Sequence, residues 1–226
     1  NDIPVKQKAN DTSQKIHLIG VAEIHYWHGF DRLLKGLANY YIHSPQYKVY
    51  FHIIGDFFSP REREEYMSII KENHLAAYVI LHGRQAGQML DLLFELCDFG
   101  IGSLGRHRSG ITNIKTLKNR EYAARGIPFI YSEIDEDFEN MPYIMKIPAN
   151  EEAVDIKQIL NFYNQLHITP LEIRNSIRHL SWNNQMKKVL DEMQKKDKIN
   201  PNNNNIANFA TLYTNKFIPN KEKWPH

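Results

Sequence analysis

A chain of 226 residues, of which 42% are hydrophobic and 24% charged, can bury a sizeable core and has the composition of an ordinary globular protein. A net charge of +2 is too small to indicate nucleic-acid binding, which usually needs a clustered basic face. The single cysteine, Cys97, excludes an internal disulfide and is typical of a buried thiol in a reducing compartment. Since the chain shows no apolar run as long as a membrane span and no signal peptide, we expect a cytoplasmic protein.

Short apolar segments alternate with amphipathic ones along most of the chain. The segments predicted to be strands are 15–22, 47–54, 78–81, 99–103, 128–131 and 143–147. The segments predicted to be helices are 30–43, 60–74, 88–96, 113–125, 151–166, 170–180 and 182–195. In the third of these, Met89, Leu92, Leu93 and Leu96 are spaced for burial. The alternation predicts an α/β fold, a Rossmann-like doubly wound parallel sheet of about six strands with flanking helices.

Composition divides the chain into three parts. Residues 1–14 are polar, contain Pro4 and lack periodicity, so they are predicted to be a linker. Residues 15–195 are predicted to form the Rossmann-like domain. Residues 196–226 include four consecutive asparagines and are predicted to be a low-complexity tail.

The segment 110–130 contains a candidate ligand site. Thr112 or Asn113 can cap a helix that ends near residue 125, and the free N–H groups and dipole of a helix start favour a phosphate group. Lys118 and Glu121 are three residues apart and share one face of that helix. An ammonium beside a carboxylate suits a nucleotide, with the ammonium on the diphosphate and the carboxylate on the ribose hydroxyls. An ordinary amphipathic helix with a surface Lys–Glu pair would give the same pattern.

Residues 117–128 read Leu-Lys-x-x-Glu-Tyr-x-Ala-x-Gly-x-Pro and resemble the donor-binding segment of the group 1 glycosyltransferases. These are retaining enzymes with two Rossmann-like domains, the GT-B fold, that use nucleotide sugars. The resemblance implies that Glu121 binds the ribose and that Lys118 and the helix start hold the diphosphate. Asn113 stands where many members carry a second glutamate near the donor sugar. Further donor-binding candidates around this helix are Thr112, Ile114 and Leu117.

The loop after the first predicted strand, residues 23–29, is aromatic and rich in histidine. In the family this loop usually carries an arginine and then a Lys-Gly pair that holds the donor diphosphate. Here His28 and Gly29 stand in place of the Lys-Gly pair, and the arginine is missing. Three alternatives follow: a histidine and backbone amides replace the cations, Lys118 and the loop 106–108 hold the phosphates, or binding has been lost.

Two further loops contribute candidates. Residues 102–110 are rich in glycine and cations, as a phosphate or sugar site requires, and Arg106 is the candidate ligand there. Gly83 and Arg84 follow the third predicted strand, where the family usually contacts the base. Glu133 and Asp135, in the acidic segment 133–140 after the fifth predicted strand, could face the site, but a solvated acidic loop is the preferred interpretation.

The resemblance implies the donor-binding C-terminal half of a retaining glycosyltransferase that acts on a polysaccharide or glycolipid acceptor. The donor would be a UDP- or GDP-linked sugar, with no other cofactor and no metal, and no ligand cluster with metal spacing is visible in the sequence. The acceptor-binding N-terminal half would be missing, so this chain alone is expected to be inactive. Peripheral association with the inner face of the cell membrane through that half is compatible with this reading. The alternatives are a nucleotide-sugar 2-epimerase of the same architecture and a degenerate, non-catalytic nucleotide-sugar-binding module.

Overall fold

A computed structural model describes residues 3–7 and 14–199, with side chains described as far as residue 193. Its contacts divide the chain into two compact units, Asn1–Ser176 and Ile177–His226. The domain boundaries expected from the sequence, 14/15 and 195/196, remain predictions. Residues 200–226, most of the predicted Asn-rich tail, lie outside the described residues.

The first unit is built on one six-stranded parallel sheet, which confirms the Rossmann-like α/β class. The strands are β1 (Lys15–Val21), β2 (Lys48–Ile54), β3 (Val79–Gly83), β4 (Phe99–Ile101), β5 (Phe129–Tyr131) and β6 (Ile144–Lys146). The helices are α1 (Phe30–Tyr41), α2 (Pro60–Glu72), α3 (Gly87–Leu96), α4 (Leu117–Arg125), α5 (Ile156–Asn164) and α6 (Pro170–Ser176).

The strand order β3-β2-β1-β4-β5-β6 places a topological switch between β1 and β4. β1 and β2 are paired along their whole length, from Lys15↔Lys48 to Val21↔Ile54. β1 and β4 are paired at Leu18↔Phe99 and Ile19↔Gly100. Because the chain leaves these two strands in opposite directions across the sheet, the loops that follow them lie on either side of the position where open parallel sheets bind their ligands.

The two faces of the sheet are covered by different helices. Helices α1, α2 and α5 pack on one face around Leu18, Phe51 and Phe99, which are fully buried. On the other face α4 buries Tyr122, whose ring contacts Phe94 of α3. The Tyr122 hydroxyl lies 2.9 Å from the carbonyl oxygen of residue 101 in β4 and 3.2 Å from that of residue 19 in β1. This tyrosine therefore joins the two strands next to the switch point.

Helix α4 begins later than the sequence indicated. Thr116 is its N-cap and accepts a hydrogen bond from the N–H of Asn119 at 3.3 Å. The preceding residues are extended, since Ile134 N–H donates to the carbonyl oxygen of Thr112 at 2.7 Å and Ile114 N–H donates to that of Ile134 at 2.9 Å. The prediction that Thr112 or Asn113 caps the helix is therefore wrong, because the pairing with residue 134 holds this segment outside it.

Helix α3 buries fewer apolar residues than its spacing indicated. Leu93 is buried, as predicted, whereas Met89, Leu92 and Leu96 are each about half exposed. The buried face of α3 is completed by Phe94, which packs on Tyr122. The prediction was wrong for these three residues, because periodicity shows which side chains share a stripe but not what covers it. Cys97, at the end of this helix, is fully buried as expected.

The described part of the second unit is helical. It consists of a short 3₁₀ turn, Arg178–Leu180, and helix α7 (Trp182–Ile199). Within the described residues of both units, each helix is too short or too polar to cross a membrane.

Candidate functional site

Two loops meet at the carboxyl ends of β1 and β4. The N–H of Leu104 donates to the carbonyl oxygen of His28 at 2.9 Å and so links them. Gly29 has a φ of 66° and lies against the backbone of Leu104 and Gly105. The close approach fixes the relative position of the side chains that both loops direct toward the switch point.

We expect Gly29→Ala to destabilise the protein by about 2 kcal/mol or more, since alanine is strained at positive φ and its Cβ would lie 2.6 Å from two backbone atoms of residues 104 and 105. Urea unfolding measures this loss. Gly110→Ala is a matched control, because Gly110 has a φ of 70° and a Cβ there would have open space around it. Equal losses in the two variants would show that backbone strain, and not the contact between the loops, sets the cost.

Lys118 points into this junction from the first turn of α4. Its Nζ is buried, lies 5.3 Å from the centre of the Phe30 ring and has no hydrogen-bond partner within residues 3–7 and 14–193. Burial lowers the pKa of Lys118 to about 7, nearby Arg106 acts in the same direction, and Glu133 opposes the shift. A buried ammonium without a partner is costly, so a perturbed group of this kind is a candidate for binding a ligand.

Arg106 brings a second cation to the junction from the loop after β4. Its guanidinium lies 5.6 Å from the centre of the Trp27 ring. Its Nε is buried and finds no acceptor in the described part of the chain. Burial lowers the pKa of Arg106, although an arginine still remains charged at physiological pH.

His28 is buried beside these cations and is electrically neutral. Burial, followed by the charges of Lys118 and Arg106, lowers its pKa to about 2. Its Nδ1 accepts the backbone N–H of His25 at 3.0 Å, so the ring proton is on Nε2. His28 can therefore offer a neutral N–H donor but supplies no positive charge.

Glu133, two residues after β5, is buried in the structure, although a solvated loop was the preferred interpretation of its sequence. Its side chain is 2% exposed, and neither carboxylate oxygen has a hydrogen-bond partner among the described residues. Burial raises its pKa, whereas Lys118 and Arg106 draw the pKa down. In the sequence, the feature that could have identified Glu133 is its position just after a buried parallel strand near the switch point.

The second acidic residue of that loop, Asp135, is also buried and not solvated as interpreted. It accepts hydrogen bonds from Asn119 Nδ2 at 3.1 Å and from Arg120 Nη1 and Nη2 at 3.1 and 3.3 Å. These contacts hold the loop against α4. The preferred interpretation as a solvated loop was therefore wrong for both residues. Their environments differ, because Asp135 is tied to α4, whereas Glu133 lies near Lys118 and Arg106.

The other basic residues of the loop after β4 are occupied by ion pairs. Arg108 binds both oxygens of Asp31 at 2.7 and 2.9 Å and also pairs with Glu151. His107 Nε2 lies 2.6 Å from Glu151 Oε1. These pairs fix the loop to α1 and to the segment after β6, and they leave Arg106 as the member of the basic triplet that reaches the junction.

Glu121 and Lys118 make separate contacts. Oε1 of Glu121 accepts hydrogen bonds from Arg125 Nε at 3.1 Å and Nη2 at 3.0 Å. Arg125 in turn pairs with Asp91 of α3 at 2.8 Å. Glu121 thus belongs to a network between α3 and α4, one turn along the helix from the buried ammonium.

The remaining predicted residues lie in two places. Thr112, Asn113 and Leu117 are exposed on the segment that leads into α4, and Ile114 beside them is half-buried. Gly83, at the end of β3, lines an open cleft, and Arg84 pairs with Asp56 at 3.4 Å.

The structure thus groups His28, Gly29, Arg106 and Lys118 with Glu133 at the switch point between β1 and β4. These five residues are called the switch-point cluster below. Gly83 and Arg84 lie instead at the carboxyl end of β3, two strands away from the switch. Within the described residues, no three His, Cys, Asp or Glu side chains are grouped so that they could hold a metal ion.

No family model matches the chain, and no curated protein matches it in sequence. Solved structures do match its fold. A glycosyltransferase from Rickettsia africae superposes with a TM-score of 0.63 at 18% identity, over 84% of this chain and 49% of that one. HepE from Anabaena in complex with UDP gives 0.60 at 16% identity, over 79% of this chain and 49% of that one. The C-terminal domain of the group 1 glycosyltransferase LpcC from Francisella tularensis gives 0.51 at 14% identity, over 77% of this chain and 94% of that one.

The chain spans about half the length of the first two of these structures. At identities below 20%, these matches show a shared fold and do not show a shared reaction. The six-stranded parallel sheet with flanking helices therefore has a glycosyltransferase-like fold.

Proposed function

We propose that this chain is the nucleotide-sugar-binding half of a retaining glycosyltransferase, which transfers a sugar from a UDP- or GDP-linked donor to a polysaccharide or glycolipid acceptor. The observation that carries the proposal is the pair of buried cationic donors, Lys118 Nζ and Arg106 Nε, which lack partners in the described part of the chain. They lie at the topological switch, where open parallel sheets bind their ligands.

The donor diphosphate fits the chemistry of these groups. Arg106 supplies one positive charge, Lys118 supplies a second when its amine is protonated, which a nearby diphosphate favours, and the Nε2–H of His28 supplies a neutral donor. Because the diphosphate is the leaving group, negative charge develops on it as the glycosidic bond breaks, and preorganised donors in a buried site stabilise that charge. Gly29 contributes by allowing the loops after β1 and β4 to meet.

The other candidates are proposed to contact the remaining parts of the donor. Glu121 is proposed to bind the ribose hydroxyls through the carboxylate lone pairs that its hydrogen bonds to Arg125 leave free. Asn113 is assigned to the donor sugar, and Thr112, Ile114 and Leu117 to the nucleotide along the same segment. At the end of β3, Gly83 and Arg84 are assigned to the base.

The comparisons support a nucleotide-sugar ligand and a partial enzyme. HepE was crystallised with UDP and with UDP-glucose, and the matching LpcC structure is a C-terminal domain. We therefore propose that an acceptor-binding N-terminal half completes the enzyme and that this chain alone binds the donor without turnover. The complete enzyme is proposed to act in the cytoplasm, where its N-terminal half would make any contact with the inner face of the membrane.

We expect calorimetric titration of this chain with UDP, GDP and ADP to show binding of one nucleotide, and Glu121→Ala to weaken it about tenfold through the lost ribose contacts. Glu65→Ala, which removes an exposed glutamate from α2, is the matched control and should bind like the wild type. A folded wild-type protein that binds none of the three nucleotides would indicate a degenerate module instead.

A further inference from the structure

Glu133 is a buried carboxylate whose two oxygens have no hydrogen-bond partner at bonding geometry among the described residues, although its own backbone N–H is near enough to lower its pKa. Both oxygens are buried and unpartnered within the described residues, although Lys118 and Arg106 are close enough to lower its pKa. The ammonium of Lys118 is likewise unpartnered in the described part of the chain, so the two opposite charges lie near each other at the switch point without forming a direct pair. Such an arrangement leaves both groups available to one ligand.

The backbone around Glu133 is fixed on both sides. Ser132 N–H donates to the carbonyl oxygen of Ser103 at 3.0 Å, and Ile134 N–H donates to that of Thr112 at 2.7 Å. The ammonium of Lys146 donates to the carbonyl oxygen of Glu133 itself. A side chain on a backbone held in this way is preorganised, so its unpaired oxygens are not a result of loop freedom.

The direction of the side chain also matters. Ile134 pairs with Asn113 at an isolated bridge and is exposed, and Asn113 is exposed as well. Because successive residues of an extended segment point to opposite sides, Glu133 points inward, toward the buried cations. The Glu133 carboxylate thus points into the protein, whereas the side chains of Ile134 and its bridge partner Asn113 point to the surface.

We propose that Glu133 accepts hydrogen bonds from hydroxyl groups of the donor sugar, while Lys118 and Arg106 hold the adjoining phosphates. The inference rests on the proposed function of the site. A carboxylate is an acceptor only, and a sugar offers neighbouring hydroxyls as donors, whereas phosphate oxygens would be repelled. A hydroxyl-bearing phosphoester therefore satisfies both the buried anion and the buried cations at once.

A different role for Glu133 predicts a different result. If the carboxylate merely neutralises Lys118 and Arg106, its removal changes the affinity for the diphosphate with or without the sugar. If it contacts the sugar, its removal changes the affinity for the sugar nucleotide and has little effect on the nucleoside diphosphate. The comparison of the two ligands thus separates the roles.

The experiment titrates UDP, UDP-glucose, GDP and GDP-mannose into the wild type, Glu133→Gln and Glu133→Asp, after thermal melts have shown that each is folded. We expect both variants to lose roughly tenfold or more in affinity for the sugar nucleotide, with less than about threefold change for the matching diphosphate. Glu133→Asp keeps the charge and shortens the reach, so a parallel loss in that variant assigns the effect to the contact.

Glu136→Gln removes the same charge from the exposed part of the same loop and should behave like the wild type. Equal changes for the diphosphate and the sugar nucleotide, or no change for either, would overturn the role of Glu133 while leaving the proposed function in place. Failure of the folded wild type to bind any of the four ligands would overturn the proposed function and, with it, this role.

Discussion

Lys118→Met is expected to weaken binding of a nucleoside diphosphate by about 30- to 1000-fold, since a buried, charge-assisted contact to phosphate contributes about 2–4 kcal/mol. The same substitution should raise the melting temperature of the ligand-free protein. Methionine fills a similar volume, and it removes an ammonium that is buried without a partner in the described part of the chain. A gain in stability together with a loss of binding is what a group held for a ligand should show.

The stability gain has a defined pH dependence. The pKa of Lys118 is lowered from 10.5 to about 7 in the folded protein, so between these values the unfolded chain binds more protons than the folded one. Wild-type stability therefore rises with pH across this window relative to Lys118→Met, and the advantage of the variant is largest near or below pH 7. Thermal melts of both proteins at pH 7 and pH 9.5 measure the difference.

Lys115→Met is the matched control, because Lys115 lies three residues earlier on an exposed segment and pairs with Glu136 and Asp137. It should change neither the nucleotide affinity nor the pH dependence of stability by much, as exposed ion pairs contribute little. A Lys118→Met protein that is less stable than the wild type at pH 7, or that binds the diphosphate unchanged, would refute the assignment of this ammonium to the anion.

The sequence was informative where the physical signal is local or periodic. Alternating apolar and amphipathic segments led to all six strands and to the parallel class. Since ligands of open parallel sheets bind beyond the carboxyl ends of the strands, the alternation along the chain also pointed to the loops that carry His28 and Arg106 and to the start of the helix that carries Lys118. The structure brings these three residues together, although their roles remain predictions.

The sequence was less informative where long-range contacts decide the outcome. Thr112 has the residue type of a helix cap, yet its pairing with Ile134 keeps it in an extended segment. Glu133 lies in an acidic run that resembles a surface loop, and its burial follows from anchors such as Ser103, thirty positions earlier. Local pattern cannot distinguish a solvated charge from one enclosed by distant segments.

The structural role of Arg32 is not apparent from the sequence, because an arginine on an amphipathic helix usually lies at the surface. In the structure it is one of the largest fully buried side chains. Its guanidinium donates to the carbonyl oxygens of Leu104 and Glu152, the latter at 2.8 Å, and to Asn150 Oδ1 at 2.8 Å. Nη2 also donates to the carbonyl oxygen of Pro148 at 3.2 Å.

These acceptors belong to two segments, the loop after β4 and the chain after β6. Arg32, on α1, therefore ties both segments to the helix that follows the loop carrying His28. The loop that it holds at Leu104 is the same loop that delivers Arg106 to the switch-point cluster. Stability and site geometry consequently depend on one buried guanidinium.

We expect Arg32→Leu to lower the free energy of unfolding by about 3–5 kcal/mol, because it leaves several buried carbonyl oxygens without donors and each such loss costs about 1–3 kcal/mol. Urea unfolding at neutral pH provides the measurement. Lys35→Leu, on the same helix, removes a half-exposed cation that pairs with Asp31 at 3.2 Å, and should cost less than about 1 kcal/mol. If Arg32→Leu cost no more than Lys35→Leu, the network around residue 32 would not be what holds the loop after β4 in place, and the position of Arg106 would have to depend on the Arg108–Asp31 pair instead.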